Sequence, residues 1–163
     1  MNNFDNEFEK AIRLITDAMP PAEELEKPTL LHSIRVGIYL YNNQYSREVC
    51  IAGLLHDAIE DTKITKEDIE NNFGKEIAEI VQANTKDESH KDDKYKNMMI
   101  KCIEYGEDAL VVKAADIIDN FNYYTRINEH EGLAYVHHVT SLLLELKPED
   151  FKDPIFDYLK SLK

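Results

Sequence analysis

Apolar residues recur at helical spacing along almost the whole chain, and the pattern predicts an all-α fold. Phe4, Phe8, Ile12 and Ile15 share one face of a first helix. The stretch "MPPAEELEKP" (Met19 to Pro28) ends it, because its prolines remove backbone donors and fix φ. A second helix is predicted from Thr29 to about Asn42, with Leu31, Ile34, Ile38 and Tyr41 as its core face. A third starts after Ser46, a suitable N-cap, and is expected to run on through "LLHDAIEDT" (Leu54 to Thr62). "TKED" (Thr65 to Asp68) is a capping-box pattern that opens the next helix. Gly74 interrupts it, and a helix over Lys75 to Thr85 follows.

The polar run "KDESHKDDK" (86–94) reads as an exposed loop. Further helices are predicted near 95–105, 108–127, 132–146 and 150–161, with Pro148 separating the last two. "ALVVKAAD" (Ala109 to Asp116) has the valines of a strand. Its alanines and helical neighbours assign it to a buried helix.

Composition supports one soluble globular domain. The chain has 163 residues, 43% apolar and 31% charged, enough for a sizeable core. No apolar run approaches the length of a membrane span, and "MNNFDNEFEK" lacks the hydrophobic region of a signal peptide. Cys50 and Cys102 sit in apolar helical stretches and read as buried thiols, which favours a cytoplasmic protein. The net charge of −13 opposes binding to nucleic-acid polymers and anionic membranes. A small anionic ligand is still compatible with it, since a bound divalent cation and a few lysines reverse the field locally. The sequence carries no signal for an oligomeric state.

The candidate chemistry begins at His56. On a continuous helix, with about 100° per residue, His56, Asp57, Glu60 and Asp61 fall within about 140° of one face. Ala52 and Gly53, about one turn earlier, are expected to leave room in front of these side chains, with Leu55 turned to the core and Leu54 near the Asp61 edge. The plain alternative is an exposed acidic helix end. His32 lies in the apolar helix "LLHSIRVGIYL", where a lone histidine is commonly a satisfied core residue. Asp116 lies in "VVKAADIIDN", and a carboxylate so flanked is expected to be buried and to need a cation or donors. Lys113, one turn before it, offers a simple ion pair; Asn120 lies one turn beyond on the same face. Together His32, His56, Asp57 and Asp116 form a mixed nitrogen and oxygen set from three helices. That set suits Mn²⁺, Fe²⁺ or Zn²⁺, with positions left for water and substrate oxygens.

At these residues the chain resembles the HD-domain metal-dependent phosphohydrolases, nearest the small alarmone hydrolases and the hydrolase domain of the RelA/SpoT proteins. His32 matches the pattern's first histidine, His56 and Asp57 its His-Asp doublet, and Glu60, Asp61 and Thr62 the following Glu-Asp-Thr. "ITKEDIENNFGKEIAEIVQANTKD" (Ile64 to Asp87) resembles the segment after the motif, and "VKAADIIDN" (Val112 to Asn120) the family's Lys-Leu-Ala-Asp…Asn helix. The resemblance covers roughly residues 28 to 146. It implies a single HD-domain helical bundle over 1–163 that binds a divalent metal, usually manganese, and removes the 3′-pyrophosphate of ppGpp-type nucleotides. By the same resemblance His32, His56, Asp57 and Asp116 would be the metal ligands. Glu60 and Asp61 would position and activate the attacking water, and Asn120 would hold substrate or support the metal shell.

The chain also departs from that pattern. The segment before the first histidine is basic in the family, whereas Asp17 to Lys27 carries one lysine, Lys27, among acids. The family's arginine two residues after the asparagine is Asn122 here, with Arg126 a turn further on, and Asp119 replaces a histidine or tyrosine. Lys91, Lys94, Lys96, Lys113 and Arg126 are the candidate replacements; a solvated surface charge is the ordinary role of each. His90, His130, His137 and His138 have no spaced partner for a second metal site, and the tyrosines, including Tyr123 and Tyr124, serve either packing or base stacking. The partner implied is a small nucleotide or phosphate ester. Another phosphate ester, such as a nucleoside monophosphate, or a non-catalytic binding module on the same fold are the alternatives. The retained Glu60 and Asp61 argue against pure binding.

Overall fold

The computed structural model describes residues 3–25, 27–86 and 94–162. Their regular structure is helical: α1 (Asn3–Ala18), a 3₁₀ turn (Ala22–Glu24), α2 (Thr29–Asn42), α3 (Arg47–Leu55), α4 (Ala58–Asp61), α5 (Lys66–Phe73), α6 (Lys75–Asn84), α7 (Lys94–Tyr105), α8 (Glu107–Ile127), α9 (His130–Leu146) and α10 (Pro154–Ser161). Among the described residues no helix is long and apolar enough to cross a membrane.

Local chemistry sets most of these boundaries. Ser46 accepts from the backbone N–H of Val49 at the start of α3. Thr65 and Asp68 form the full capping box at α5. Gly74 joins α5 to α6 at φ +100°, a conformation that side-chain-bearing residues rarely adopt. The carboxylate of Glu129 accepts from the N–H groups of Glu131 and Gly132, so α9 begins at His130, slightly earlier than the apolar pattern indicates. α10 begins at Pro154 rather than near 150, with Asp153 as its cap.

α8 is the central element. It packs against α2, α3, α6, α7, α9 and α10. Its run from Ala109 to Ala115 is buried throughout, as expected for the valine-rich segment assigned to a helix. Phe8 and Ile15 of α1 are buried, with Phe4 and Ile12 packed partly against the core. Both cysteines are buried thiols.

Two expectations need correction. The core face of α2 is not the one predicted. Leu31, Ile38 and Tyr41 are 51%, 39% and 36% exposed, whereas His32, Ser33, Val36, Gly37 and Leu40 are buried. The reason is the close approach of α3. A Cβ on Gly37 would lie 2.9 Å from the Cβ of Leu54, and one on Gly53 would lie 2.2 Å from Cδ1 of Leu40. Gly53 therefore lets α2 and α3 pack tightly and does not open space in front of the site. Ala52, Leu54 and Leu55 are likewise all buried.

The second correction is that α3 does not continue through the motif. It ends at Leu55, and His56 and Asp57 form a turn before α4. His56 Nδ1 lies 2.7 Å from the carbonyl of Gly53. In a continuing helix that carbonyl would accept from the N–H of Asp57. The imidazole instead closes the helix end, and Asp57 takes φ −94°, ψ 0°.

Candidate metal centre and cavity

Despite that break, the turn delivers its side chains to one place. His32 from α2 and His56 from the turn are both buried, with their Nε2 atoms 3.2 Å apart. Asp57 Oδ2 lies 3.2 Å from His56 Nε2 and 3.7 Å from His32 Nε2. Asp116 Oδ1, from α8, lies 3.0 Å and 3.6 Å from the Nε2 atoms of His32 and His56. Ligand atoms of His32, His56 and Asp57 all fall within 4.8 Å of one another, a group that could hold a metal ion.

The donor set fits a cation on chemical grounds. Each imidazole has its Nδ1 against a fixed acceptor: Asp119 Oδ2 at 2.6 Å for His32, and the Gly53 carbonyl for His56. An Nδ1–H that donates there leaves the Nε2 lone pair facing inward. Two such lone pairs and two carboxylate oxygens then converge, all of them acceptors. Without a metal, a proton must play the cation's part. Burial opposes a charged His56, but Asp57 and Asp116 outweigh it and push its pKa up to about 10. The same attraction, against the cost of burial, holds Asp57 and Asp116 well below the usual carboxylate range, with Lys113 the main positive partner of Asp116.

The ion-pair reading and the ligand reading of Asp116 are compatible, because they use different oxygens. Lys113 Nζ sits 3.0 Å from Oδ2, while Oδ1 faces the imidazoles and accepts from Asn120 Nδ2 at 2.6 Å. Asn120 in turn accepts from Lys27 Nζ through Oδ1 at 2.5 Å. The opposite characters of its two partners fix which way its amide points.

These groups line a cavity of about 540 Å³, a size that suits a small ligand. Asp57, Asp116, Glu60, Asp61, Lys113 and Asn120 all line it. Glu60 is held at both oxygens, by the N–H of Lys86 at 2.6 Å and the Lys86 ammonium at 2.8 Å. That pairing overcomes burial and holds the Lys86 ammonium above its usual range. Asp61 differs: burial first, then the charges of Asp57 and Glu60, raise its pKa. A half-buried carboxylate with a raised pKa beside two like charges has the electrostatics of a general base.

The cavity does not collect every predicted substrate contact. The described residues that line it do not include Lys94, Lys96 or Arg126. Lys94 lies over the ring of Tyr95, and Arg126 over that of Tyr123. Lys91 and His90 lie outside the described residues. His130, His137 and His138 are exposed. The sequence reading gave no site role to four polar residues: Lys27 and Asp119, noted only as departures from the family pattern, Lys86, assigned to an exposed loop but with a side chain only 26% exposed here, and Arg35. Lys27 and Lys86 reach the cavity from non-helical segments, which periodicity cannot place. Arg35 and Asp119 did carry a signal. Each follows a candidate ligand by three residues, His32 and Asp116 respectively, the spacing of one helix face.

The HD domain family model matches residues 11–142. The chain belongs to the HD domain family. Within that family it is 36% identical over 93 residues to the guanosine-3′,5′-bis(diphosphate) 3′-pyrophosphohydrolase of Borreliella burgdorferi, covering 52% of this chain and 14% of that protein. It is 37% identical over 110 residues to the probable enzyme of the same name from Mycoplasma pneumoniae, covering 59% of this chain and 15% of that protein. The HD-domain chain thus spans about one seventh of the length of these relatives. A solved structure described as "A metazoan ortholog of SpoT hydrolyzes ppGpp and plays a role in starvation responses" is 21% identical, with a TM-score of 0.72 over 99% of this chain and 94% of that one. At that identity the likeness concerns the fold.

Proposed function

We propose that this HD-domain protein is a metal-dependent phosphohydrolase that releases pyrophosphate from a ppGpp-like nucleotide. The observation that carries the reading is the convergence of four acceptor side chains, the buried His32 and His56 with Asp57 and Asp116, whose two carboxylates line a ligand-sized cavity together with Asp61. The names of the bacterial relatives supply the substrate class. His32, His56, Asp57 and Asp116 would hold a divalent ion; the nitrogen–oxygen set suits Mn²⁺, Fe²⁺ or Zn²⁺, and the family resemblance makes manganese the proposed one. Such an ion supplies a lowered pKa for bound water and offsets charge on the phosphoryl group. Asp61 is the base that accepts the water's proton, and its raised pKa brings it nearer to the working pH. Glu60, gripped by Lys86, holds that lysine at the cavity wall and serves the reaction through it. Lys27, Lys86 and Lys113 are the cations that face a phosphate, and Asn120 adds an amide. A cytoplasmic setting belongs to the same proposal.

The charge balance of the cavity favours a second reading. Glu24, Glu129 and Glu131 also line it, and Lys113 and Lys86 already hold carboxylates. A less charged phosphate ester, such as a nucleoside monophosphate, is easier to accommodate there than a tetra-anionic nucleotide or one of higher charge. A screen of nucleotides with Mn²⁺, following the released products, separates the two. Pyrophosphate from ppGpp supports the first reading, and orthophosphate from a monophosphate the second. The absence of any metal-dependent product from either would sink both.

A further inference from the structure

Arg35 and Asp119 neither line the cavity nor supply an atom to the convergent set, yet they bind directly behind it. Asp119 Oδ1 accepts from Arg35 Nε at 2.7 Å, and Oδ2 accepts from Arg35 Nη2 at 2.8 Å. The same Oδ2 lies 2.6 Å from His32 Nδ1. An ion pair between two helices would be complete with the first two bonds. The third is aimed at a buried imidazole whose other nitrogen faces His56 and Asp116.

We infer that Asp119, clamped by Arg35, is a positioning residue that fixes the tautomer and ring orientation of His32 and makes it the stronger nitrogen donor of the pair. The inference rests on the assignment of His32 as a metal ligand. Arginine has donors and no acceptor, so Asp119 is the accepting side of both its bonds. The remaining bond to Oδ2 is therefore donated by the Nδ1–H of His32, and Nε2 keeps its lone pair. Turning the ring over would surrender that bond. His56 provides the contrast within the same site, because its Nδ1 meets an uncharged backbone carbonyl. A carboxylate behind an imidazole raises the basicity of the far nitrogen more than a neutral acceptor does. The placement serves the ligands in a second way. Arg35 is one turn from His32 on α2 and Asp119 one turn from Asp116 on α8, so the clamp also sets the distance between the helices that carry those two side chains.

The test uses the full chain stripped of metal, with Co²⁺ as the probe, titrated by calorimetry and by its visible absorption. Asp119→Ala is expected to weaken Co²⁺ binding roughly 10–100-fold and to alter the absorption band. Asp119→Asn keeps an oxygen for the Nδ1–H and is expected to recover part of the affinity. Arg35→Ala leaves the His32 bond without its clamp and is expected to fall between the two. A purely structural strap predicts otherwise: lower melting temperatures for the metal-free variants, with Co²⁺ affinity and spectrum unchanged from the parent chain. That result overturns the positioning role alone. If the parent chain binds no Co²⁺, the assignment of His32 as a ligand fails, and the inference fails with it. Should Asp119→Ala not fold, Asp119→Asn against the parent decides, with weaker binding in support and equal binding against.

Discussion

Two groups of side chains meet at the cavity. The first, His32, His56, Asp57 and Asp116, comes from α2, the α3–α4 turn and the middle of α8, with the two carboxylates lining the cavity and the two imidazoles buried against them. The other group, Glu24, Lys27, Glu129 and Glu131, comes from the segment before α2 and from the start of α9. The first group is held by buried helices and has a second layer of partners: Gly53, Asp119, Lys113 and Asn120. The second group is carried by the segment before α2 and the first turn of α9, and Glu129 is occupied in capping α9. On the proposed function, the convergent group would carry the chemistry and the group at the helix boundaries the choice of substrate. A bond-breaking step needs atoms held to fractions of an ångström, whereas recognition can be retuned at a rim with little cost to the bundle.

The largest effects should therefore come from the convergent group and Asp61 beside it. Asp57→Ala removes a convergent oxygen and leaves the imidazoles without one of their two carboxylates. Metal analysis after dialysis should find affinity reduced by more than the roughly 10–100-fold typical of an outer-shell change, with metal-dependent turnover at background. A variant that retained full metal content would remove Asp57 from the ligand set. Asp61→Asn comes next. It should keep the metal and lose about 10²–10⁴-fold in kcat, the usual contribution of a positioned base. Because the base must be ionised and its pKa is raised, turnover of the parent should fall as the pH drops through a value above that of an ordinary aspartate. The Asn variant should show no such limb. Persistence of the limb in that variant would assign it to another group.

The same division decides what could be read from the sequence. The four convergent residues were recoverable because each is placed by helix arithmetic or by a short motif, and family resemblance supplied their order. The route was only partly right, since His56 and Asp57 reach the site from a turn and not from a straight helix. The error on α2 has a similar origin. Periodicity finds an apolar stripe, but which stripe is buried depends on Gly37 and Gly53 letting α3 approach the opposite face. Lys27 and Lys86 could not be placed at all, because no repeat describes the chain between helices. Lys94 and Arg126 were chosen for charge and position in sequence; neither lines the cavity, and each lies over a tyrosine ring, Tyr95 of the cavity wall for Lys94 and Tyr123 for Arg126.

A third, smaller effect concerns stability in the absence of metal. The raised pKa of His56 means that the metal-free protein gains stability from the proton it holds. That gain is complete below the unfolded value of about 6.5 and is lost as the pH rises through about 10. The depressed Asp57 and Asp116 act with the opposite sign, losing their contribution only when the pH falls below the ordinary carboxylate range. Chelated protein should therefore melt at progressively lower temperature between about pH 6.5 and 10, by more than the ~2–4 °C that a single kcal/mol represents at this length. Metal-loaded protein should not follow it, because its ligands are deprotonated throughout. Parallel curves for the two forms would mean that the convergent set does not bind the ion.

The smallest effect is expected at the rim, and it bears most directly on the substrate. Lys27 is the one cation contributed by the segment before α2, and it reaches Asn120 at 2.5 Å. Two roles are open to it, with different kinetic signatures. If its ammonium meets a phosphate of the bound nucleotide, Lys27→Ala should raise KM about tenfold, equivalent to about 1.4 kcal/mol, with kcat and metal content unchanged. If it acts only by orienting the Asn120 amide, the loss should pass to Asp116 and appear in metal affinity and kcat, with KM nearly constant. Repeating the comparison with a nucleoside monophosphate sharpens it further. A contact to the second phosphate of a pyrophosphoryl group disappears when that phosphate is absent, so the KM penalty should vanish with the smaller substrate if the rim was built for the larger one.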